Sequence, residues 1–253
     1  MLNVRHENMK TRSVIAAMMI IIAMVFLCCA PTAHADTYKT QPTDITFGKS
    51  YAGSVGTSEK LRYNFVLHKA GAVTISGTVN QQDMTYGPDY YTVNACINIY
   101  TSTGKYLTRE WIGGSTGSQH FTFTKRFNKG SYYFTIEEGA GVGGVKFTLK
   151  AAYKGFPAAS IKALSNISKN KLKTTWTRKT GISGYQVQIA RNSKFTKSRK
   201  TYTVKKASAS SKTISKLNRL KKYYVRVRTY TKTLNNSTAY SQWSKVRSKT
   251  IRK

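Results

Sequence analysis

Between Lys60 and Tyr153 apolar and polar residues alternate in short runs: KLRYNFVLH, GAVTISGTV, ACINIYT, GKYLTREW, QHFTFTKR, SYYFTIEE and VKFTLKAAY, with Gly, Ser, Asn and Lys between them. A period of two sends successive side chains to opposite faces of a strand, and no run carries the wider spacing of an amphipathic helix. Seven such runs with regular turn residues predict a sandwich or jelly roll. The rhythm breaks at Lys154-Gly155-Phe156-Pro157, and a second series follows: SIKALSN, KLKTTWTR, GYQVQIAR, RKTYTVKK, SKTISK, YYVRVRTY and QWSKVRSKTI. The pattern predicts an all-β chain of two β-sandwich domains in tandem, jelly-roll-like over 36–153 and seven-stranded over 154–253.

The first segment departs from this rhythm. Arg5, Lys10 and Arg12 precede an uncharged apolar run of 17 residues, 14–30, which is followed by Pro31 and Ala33-His34-Ala35. That is the layout of a secretory signal peptide over 1–35, cleaved after Ala35. A retained anchor is the competing reading, but the run is at the short end for a spanning helix. Val25-Phe26-Leu27 before Cys28 lacks the small residues of a lipidation signal. Export is expected, with no integral membrane association after cleavage. Cys28 and Cys29 leave with the signal, so Cys96 has no internal disulfide partner and reads as a small, half-buried strand residue. Stability then rests on core burial.

Charge divides at the same break as the pattern. Of 42 Lys and Arg and 9 Asp and Glu in the chain, residues 36–153 hold 12 and 8, whereas residues 154–253 hold 27 and none. An ordinary domain mixes the two signs. Like charges on this scale repel within the compact state, and nothing inside the segment offsets them. Lysine-rich composition without a role is one account. Retention on a polyanion is the other, and for an exported chain ending at Lys253 without a sorting signal it also explains attachment at the cell surface.

The second half resembles a fibronectin type III domain, of the lysine-rich kind found in secreted proteins of Gram-positive bacteria. Trp176, Tyr185, the terminal YSQWSKV, and the spacing Leu217-x5-Tyr223 with Val225 and Val227 after it carry the likeness; the latter matches that family's tyrosine-corner segment. The resemblance implies an immunoglobulin-like fold. The integrin-binding RGD is absent, so no adhesion of that kind carries over. The first half is similar to the bacterial pre-peptidase C-terminal domains, through ITFGKSYAGSV, LRYNFVLHKAGAVTISG, INIYTSTGKYL and FNKGSYYFTIEE. That family implies accessory modules of secreted enzymes, some of which bind calcium or matrix polymers, although no catalytic domain adjoins it here.

Catalytic chemistry finds little to use. After residue 35 only His68 and His120 remain, without a HExxH or HxxxH pair, and every acid lies at or before Glu138. Glu137 and Glu138 are adjacent, so a strand points them to opposite faces. Asp83 and Asp89 flank a loop and read as turn formers or a weak calcium site rather than a hydrolytic dyad. GAGVGG at 139–144 leads into a strand, where a phosphate cradle needs a helix N-terminus. No enzyme, cofactor or metal is expected.

Candidate binding residues follow from strand parity. With Tyr223, Val225 and Val227 facing inward, Tyr224, Arg226, Arg228 and Tyr230 face out; with Val246 inward, Trp243, Lys245, Arg247 and Lys249 face out. The resemblance makes the two strands neighbours, so these side chains are expected on one surface that binds an anionic cell-wall polymer or acidic glycan. Arg226 and Arg228 are also placed to stack on Trp243, as in the WSxWS-type ladders of related cytokine-receptor domains, which leaves Trp243 either structural or ligand-facing. Extracellular nucleic acid is the alternative partner, through phosphate contacts and base stacking. In the first domain Tyr86, Tyr90, Tyr91 and Trp111 are candidate sugar-stacking platforms, as in an accessory carbohydrate-binding module. A spacer with no ligand is a further reading.

Overall fold

The computed structural model of the chain describes residues 38–81, 94–113, 117–140 and 144–252. Residues 1–37, which include the expected signal peptide, and the loop carrying Asp83, Tyr86, Asp89, Tyr90 and Tyr91 lie outside these residues. Every described element is a strand. In the first half they are β1 (Thr43–Asp44), β2 (Ser50–Val55), β3 (Lys60–Leu67), β4 (Gly71–Gln81), β5 (Asn94–Thr101), β6 (Tyr106–Ile112), β7 (Gly117–Phe127), β8 (Gly130–Ala140) and β9 (Val145–Gly155). All seven alternating runs of this half are strands, and β1 and β2 add to them.

They form two sheets, β1-β3-β8-β5-β6 and β2-β9-β4-β7, antiparallel except for the β1–β3 pair. Alternation decides which face is buried. Along β9, Val145, Phe147, Leu149 and Ala151 are buried while Lys146, Thr148 and Lys150 are exposed. The inward faces meet in an aromatic core in which Tyr63 stacks on Phe134 at 5.2 Å and Phe65 on Tyr132 at 5.6 Å. One glycine there is obligatory: a Cβ on Gly77 would lie 1.9 Å from the carbonyl oxygen of Thr148.

The second half contains β10 (Ile161–Ser168), β11 (Lys171–Trp176), β12 (Gly184–Ala190), β13 (Lys200–Val204), β14 (Ser211–Ile214), β15 (Lys222–Lys232), β16 (Thr238–Tyr240) and β17 (Arg247–Thr250). A three-stranded sheet, β10-β11-β14, faces a sheet in which β15 lies between β12 and the short strands β16 and β17. Leu172, Trp176, Tyr185, Val187, Ile189, Val225 and Val227 build its core. Two tyrosine hydroxyls tie loops to it by accepting backbone N–H groups: Tyr185 from Lys179 at 2.9 Å, and Tyr223 from Asn218 at 3.1 Å. The latter is the tyrosine corner expected from Leu217-x5-Tyr223.

The sequence reading of QWSKVRSKTI as one strand is corrected. Residues 241–246 run beside β15 outside any strand, with Ser241 N–H donating to the Thr229 carbonyl (3.1 Å) and Ser244 N–H to that of Val227 (2.8 Å). The serine hydroxyls accept in return from the N–H groups of Thr229 and Val227, each at 3.0 Å. These side chains replace a regular ladder.

The two sandwiches touch through hairpin turns. Leu234, just beyond β15, packs against the first core and its N–H donates to the Arg126 carbonyl at 2.9 Å. The Asn128 amide lies within hydrogen-bond reach of Thr233 Oγ1, Asn235 Oδ1 and Ser237 Oγ.

Candidate functional site

Along β15 the burial pattern alternates as the sequence predicts, with Tyr223, Val225, Val227 and Thr229 buried and Tyr224, Arg226, Arg228 and Tyr230 on the outer face. The antiparallel register with β12 sets Gln188 opposite Arg226 and Gln186 opposite Arg228. Each glutamine carbonyl accepts two bonds from one guanidinium. Arg226 Nε and Nη2 reach Gln188 Oε1 at 2.8 and 2.6 Å, and Arg228 Nε and Nη2 reach Gln186 Oε1 at 3.0 and 2.8 Å. Gln188 passes on a bond to Thr201 Oγ1 at 3.0 Å.

Aromatic rings complete the arrangement. Arg226 Cζ stands 4.1 Å from the Phe195 ring and 4.5 Å from Trp243; Arg228 Cζ stands 4.3 Å from Trp243 and 3.7 Å from Tyr240. Rings and guanidiniums thus alternate from Phe195 to Tyr240. Burial pulls both arginine pKa values down, with Arg199 adding to it at Arg226; at Arg228 neighbouring Arg226 also lowers the value while Tyr240 raises it. Arginine stays charged regardless. Of the two roles open to Trp243, the ring is occupied in the structural one. Phe195, Tyr240, Gln186 and Gln188 were not singled out from sequence, although Gln-x-Gln inside the apolar strand GYQVQIA was a visible anomaly.

Two of the remaining expected members, Arg247 and Lys249, are not on this face. β17 pairs with β15 as expected, but Arg247 lies opposite Val225 and Lys249 opposite Tyr223, both core-facing residues. Residues directly opposite in an antiparallel pair share a face, so Arg247 and Lys249 lie on the reverse side from Arg226 and Arg228. The cause is the anchor. Val246 is 41% exposed, and the side chain that fixes the parity of the last strand is the fully buried Ile251. Arg247 Nη1 instead donates to the Lys162 carbonyl at 2.9 Å on the facing sheet. Lys245 is exposed, and half-buried Tyr224 lies under Lys222 Nζ at 5.5 Å. The single merged surface of five cations and three aromatics does not form.

In the first sandwich Trp111 is 58% exposed, with Arg109 Cζ 5.2 Å from its ring. Arg109 Nε donates to Asn98 Oδ1 at 2.7 Å, which fixes the guanidinium beside the indole. Tyr106, at the start of the same strand, is also exposed. Tyr86, Tyr90 and Tyr91 lie outside the described residues. Cys96 is buried, not half-buried, and burial pushes its thiol pKa up, with Glu137 adding to the effect. Glu137 takes a bond from Thr135 Oγ1 at 2.5 Å, while burial raises the carboxyl of Glu138, whose oxygens have no hydrogen-bond partner among the described residues. Among the described residues no group of three or more His, Cys, Asp or Glu is placed to hold a metal ion.

The chain matches no protein-family model and no curated protein. Among solved structures it is similar to a two-domain fibronectin type III segment of chicken tenascin, at 17% identity and a TM-score of 0.37, over 73% of this chain and 95% of that one. It is also similar to the pre-peptidase C-terminal domain of a Bacillus anthracis collagenase, at 17% identity and a TM-score of 0.31, over 44% of this chain and 94% of that one. The fibronectin type III domain of human collagen alpha-1(XX) matches at 22% identity and a TM-score of 0.29, over 39% and 86% of the respective chains. The structures similar to this chain therefore include both kinds of domain that its sequence resembles.

Proposed function

We propose that this is an exported, non-catalytic binding protein whose acid-free second sandwich holds it to an anionic polymer at the cell surface. The observation that carries the reading is the placement of 27 cations and no acid in residues 154–253. The aromatic ladder accounts for Arg226 and Arg228 alone. Lys162, Lys171, Lys173, Lys205, Lys245 and Lys249 are among the many that stand exposed. An anionic cell-wall polymer or an acidic glycan relieves their mutual repulsion by binding, and displaced counterions supply the driving force.

The test is binding of the exported protein to a polyglycerol phosphate, to heparin and to single-stranded DNA across a salt series. A variant with Lys245, Arg247 and Lys249 changed to Gln and the ladder arginines kept runs alongside. Retention on one polymer at physiological salt, weakened in the variant, supports the reading and names the partner. A preference for DNA, with a log–log salt slope of about −0.7 per phosphate contacted, turns it toward nucleic acid. No retention on any polymer ends it. The exposed Trp111 favours a second, separate reading in which the first sandwich contacts a sugar ring, tested by Trp111→Ala on glycan arrays.

A further inference from the structure

At one end of the second sandwich two loops approach each other. The connection from β12 to β13 and the first residue of β13 carry Arg191, Lys194, Lys197, Arg199 and Lys200; the connection from β14 into β15 carries Lys216, Arg219, Lys221 and Lys222. Between them lies a partly enclosed pocket of about 220 Å³, lined by Arg191, Ser198, Lys200, Lys216, Asn218 and Tyr223. The Arg191 guanidinium lies 5.0 Å from the Tyr223 ring, and Tyr223 is itself fixed by its hydroxyl bond to the Asn218 N–H. Arg191 Nε is buried and has no hydrogen-bond partner among the described residues.

A buried guanidinium N–H without an acceptor costs free energy, and native structures leave few of them. The other lining residues offer no carboxylate, and residues 154–253 contain none. We propose that the missing acceptor is a phosphate or sulfate ester group of the bound polymer. Arginine presents its donors as a rigid fork suited to such oxyanions, and lysine adds mobile point charge. Here the fork is held by an aromatic ring, and the two lysines come from separate segments, Lys200 at the start of β13 and Lys216 in the connection after β14. A tetrahedral group turns an oxygen toward each donor, whereas a planar carboxylate presents only two oxygens. A water's share of liquid volume is about 30 Å³, so the pocket takes one such group with part of its hydration. Ser198 and Lys216, at φ 47° and 59°, hold left-handed backbone without being glycine. That is a cost which recurs at ligand sites.

The inference rests on the polyanion reading and gives it a site. Its test uses the exported protein with inorganic phosphate, inorganic sulfate and acetate as probes at constant ionic strength, read by amide shifts at Ser198, Lys216 and Asn218. Phosphate or sulfate is expected to bind about tenfold more tightly than acetate, in line with the strength of charge-assisted bonds. Lys200→Gln with Lys216→Gln, both exposed, should raise that dissociation constant about tenfold or more. Arg191→Lys, which keeps the charge and loses the fork, should do the same. Equal affinity in parent and variants, or acetate binding as well as sulfate, overturns the site. Polyglycerol phosphate and heparin then separate the two ester sources, because the pocket variant loses affinity for the one that binds there. Salt-dependent retention that is identical in parent and pocket variant sinks the pocket and leaves the broader reading intact. Sulfate bound in the pocket of a protein that retains no polymer does the reverse.

Discussion

Replacing Trp243 by alanine removes one ring from between two guanidiniums, and the structure sets the size of the loss. Arg226 and Arg228 stand 4.5 and 4.3 Å from the ring centre. A cation–π contact contributes about 0.5–1 kcal/mol when exposed and about 2 when desolvated. Both guanidiniums are half-buried, which places each contact near 1 kcal/mol. The ring itself is half-buried, and covering roughly 100 Å² of aromatic surface adds about 2.5 kcal/mol at 25 cal/mol/Å². Allowing for incomplete additivity, Trp243→Ala should destabilise the second sandwich by about 3 kcal/mol. For a domain of about 100 residues this lowers the melting temperature by roughly 12 °C or more.

Thermal unfolding followed by circular dichroism reads this directly, and Trp243→Phe should recover part of the loss. Below its melting range the alanine variant should hold heparin or polyglycerol phosphate within about twofold of the parent. That corresponds to about 0.4 kcal/mol by RT ln 2. A loss of stability under about 0.5 kcal/mol, typical of an unconstrained surface residue, would refute the ladder as a structural device. A tenfold loss of polymer affinity in the folded variant would instead make Trp243 a ligand platform.

Gly77→Ala should cost about 1–3 kcal/mol or more, as overpacking does, because its Cβ would fall 1.9 Å from the Thr148 oxygen; a melt equal to the parent's refutes the close approach. Burial raises the Tyr63 hydroxyl pKa from 10.0 to about 12. Its contribution to stability is therefore complete below pH 10 and is lost as pH rises through about 12, so Tyr63→Phe should flatten the alkaline part of a stability–pH curve. Asn128→Ala removes the amide that spans Thr233, Asn235 and Ser237. It should loosen the joint by about 1–3 kcal/mol, seen as two calorimetric transitions further apart than in the parent.

Alternation made strands such as β3, β9 and β15 legible because each has one wet face and one dry face. KLRYNFVLH, VKFTLKAAY and YYVRVRTY declare their parity without help from any other part of the chain. The end of the chain does not. Val246 is the apolar residue nearest Trp243, so local reasoning makes it the inward anchor, but Ile251 fills the core and reverses the parity of Arg247 and Lys249. The choice between the two is made by where the core ends, which sequence spacing does not record. The same limit hid the partners of the ladder. Gln188 and Arg226 are 38 residues apart and meet only through strand register. The pocket beside Arg191 joins two loops whose approach depends on the whole sandwich.

How the two sandwiches satisfy their cations bears on why one of them lacks acids. In the first, Lys39 pairs with Glu59, Lys60 with Glu137 and Lys125 with Glu110. In the second, every cation bond described ends on a neutral oxygen: Arg226 on Gln188, Arg228 on Gln186, Arg247 on the Lys162 carbonyl and Lys232 on the Asn236 carbonyl. Glutamate at 186 or 188 would fit the same geometry and bond more strongly. A hydrogen bond to a charged partner contributes about 1.5–3 kcal/mol against about 1 for a neutral one. Changing Gln186 and Gln188 to Glu should therefore stabilise the sandwich by about 1 kcal/mol, once the desolvation of a carboxylate at buried position 188 and the loss of the amide bond to Thr201 are set against the gain. It also lowers by two units the net positive charge on which the proposed polyanion binding rests. If the neutral acceptors serve binding, the double variant melts higher and elutes from heparin or polyglycerol phosphate at lower salt. A variant that melts higher and elutes unchanged would show that amides stand at these positions for reasons unconnected with the ligand.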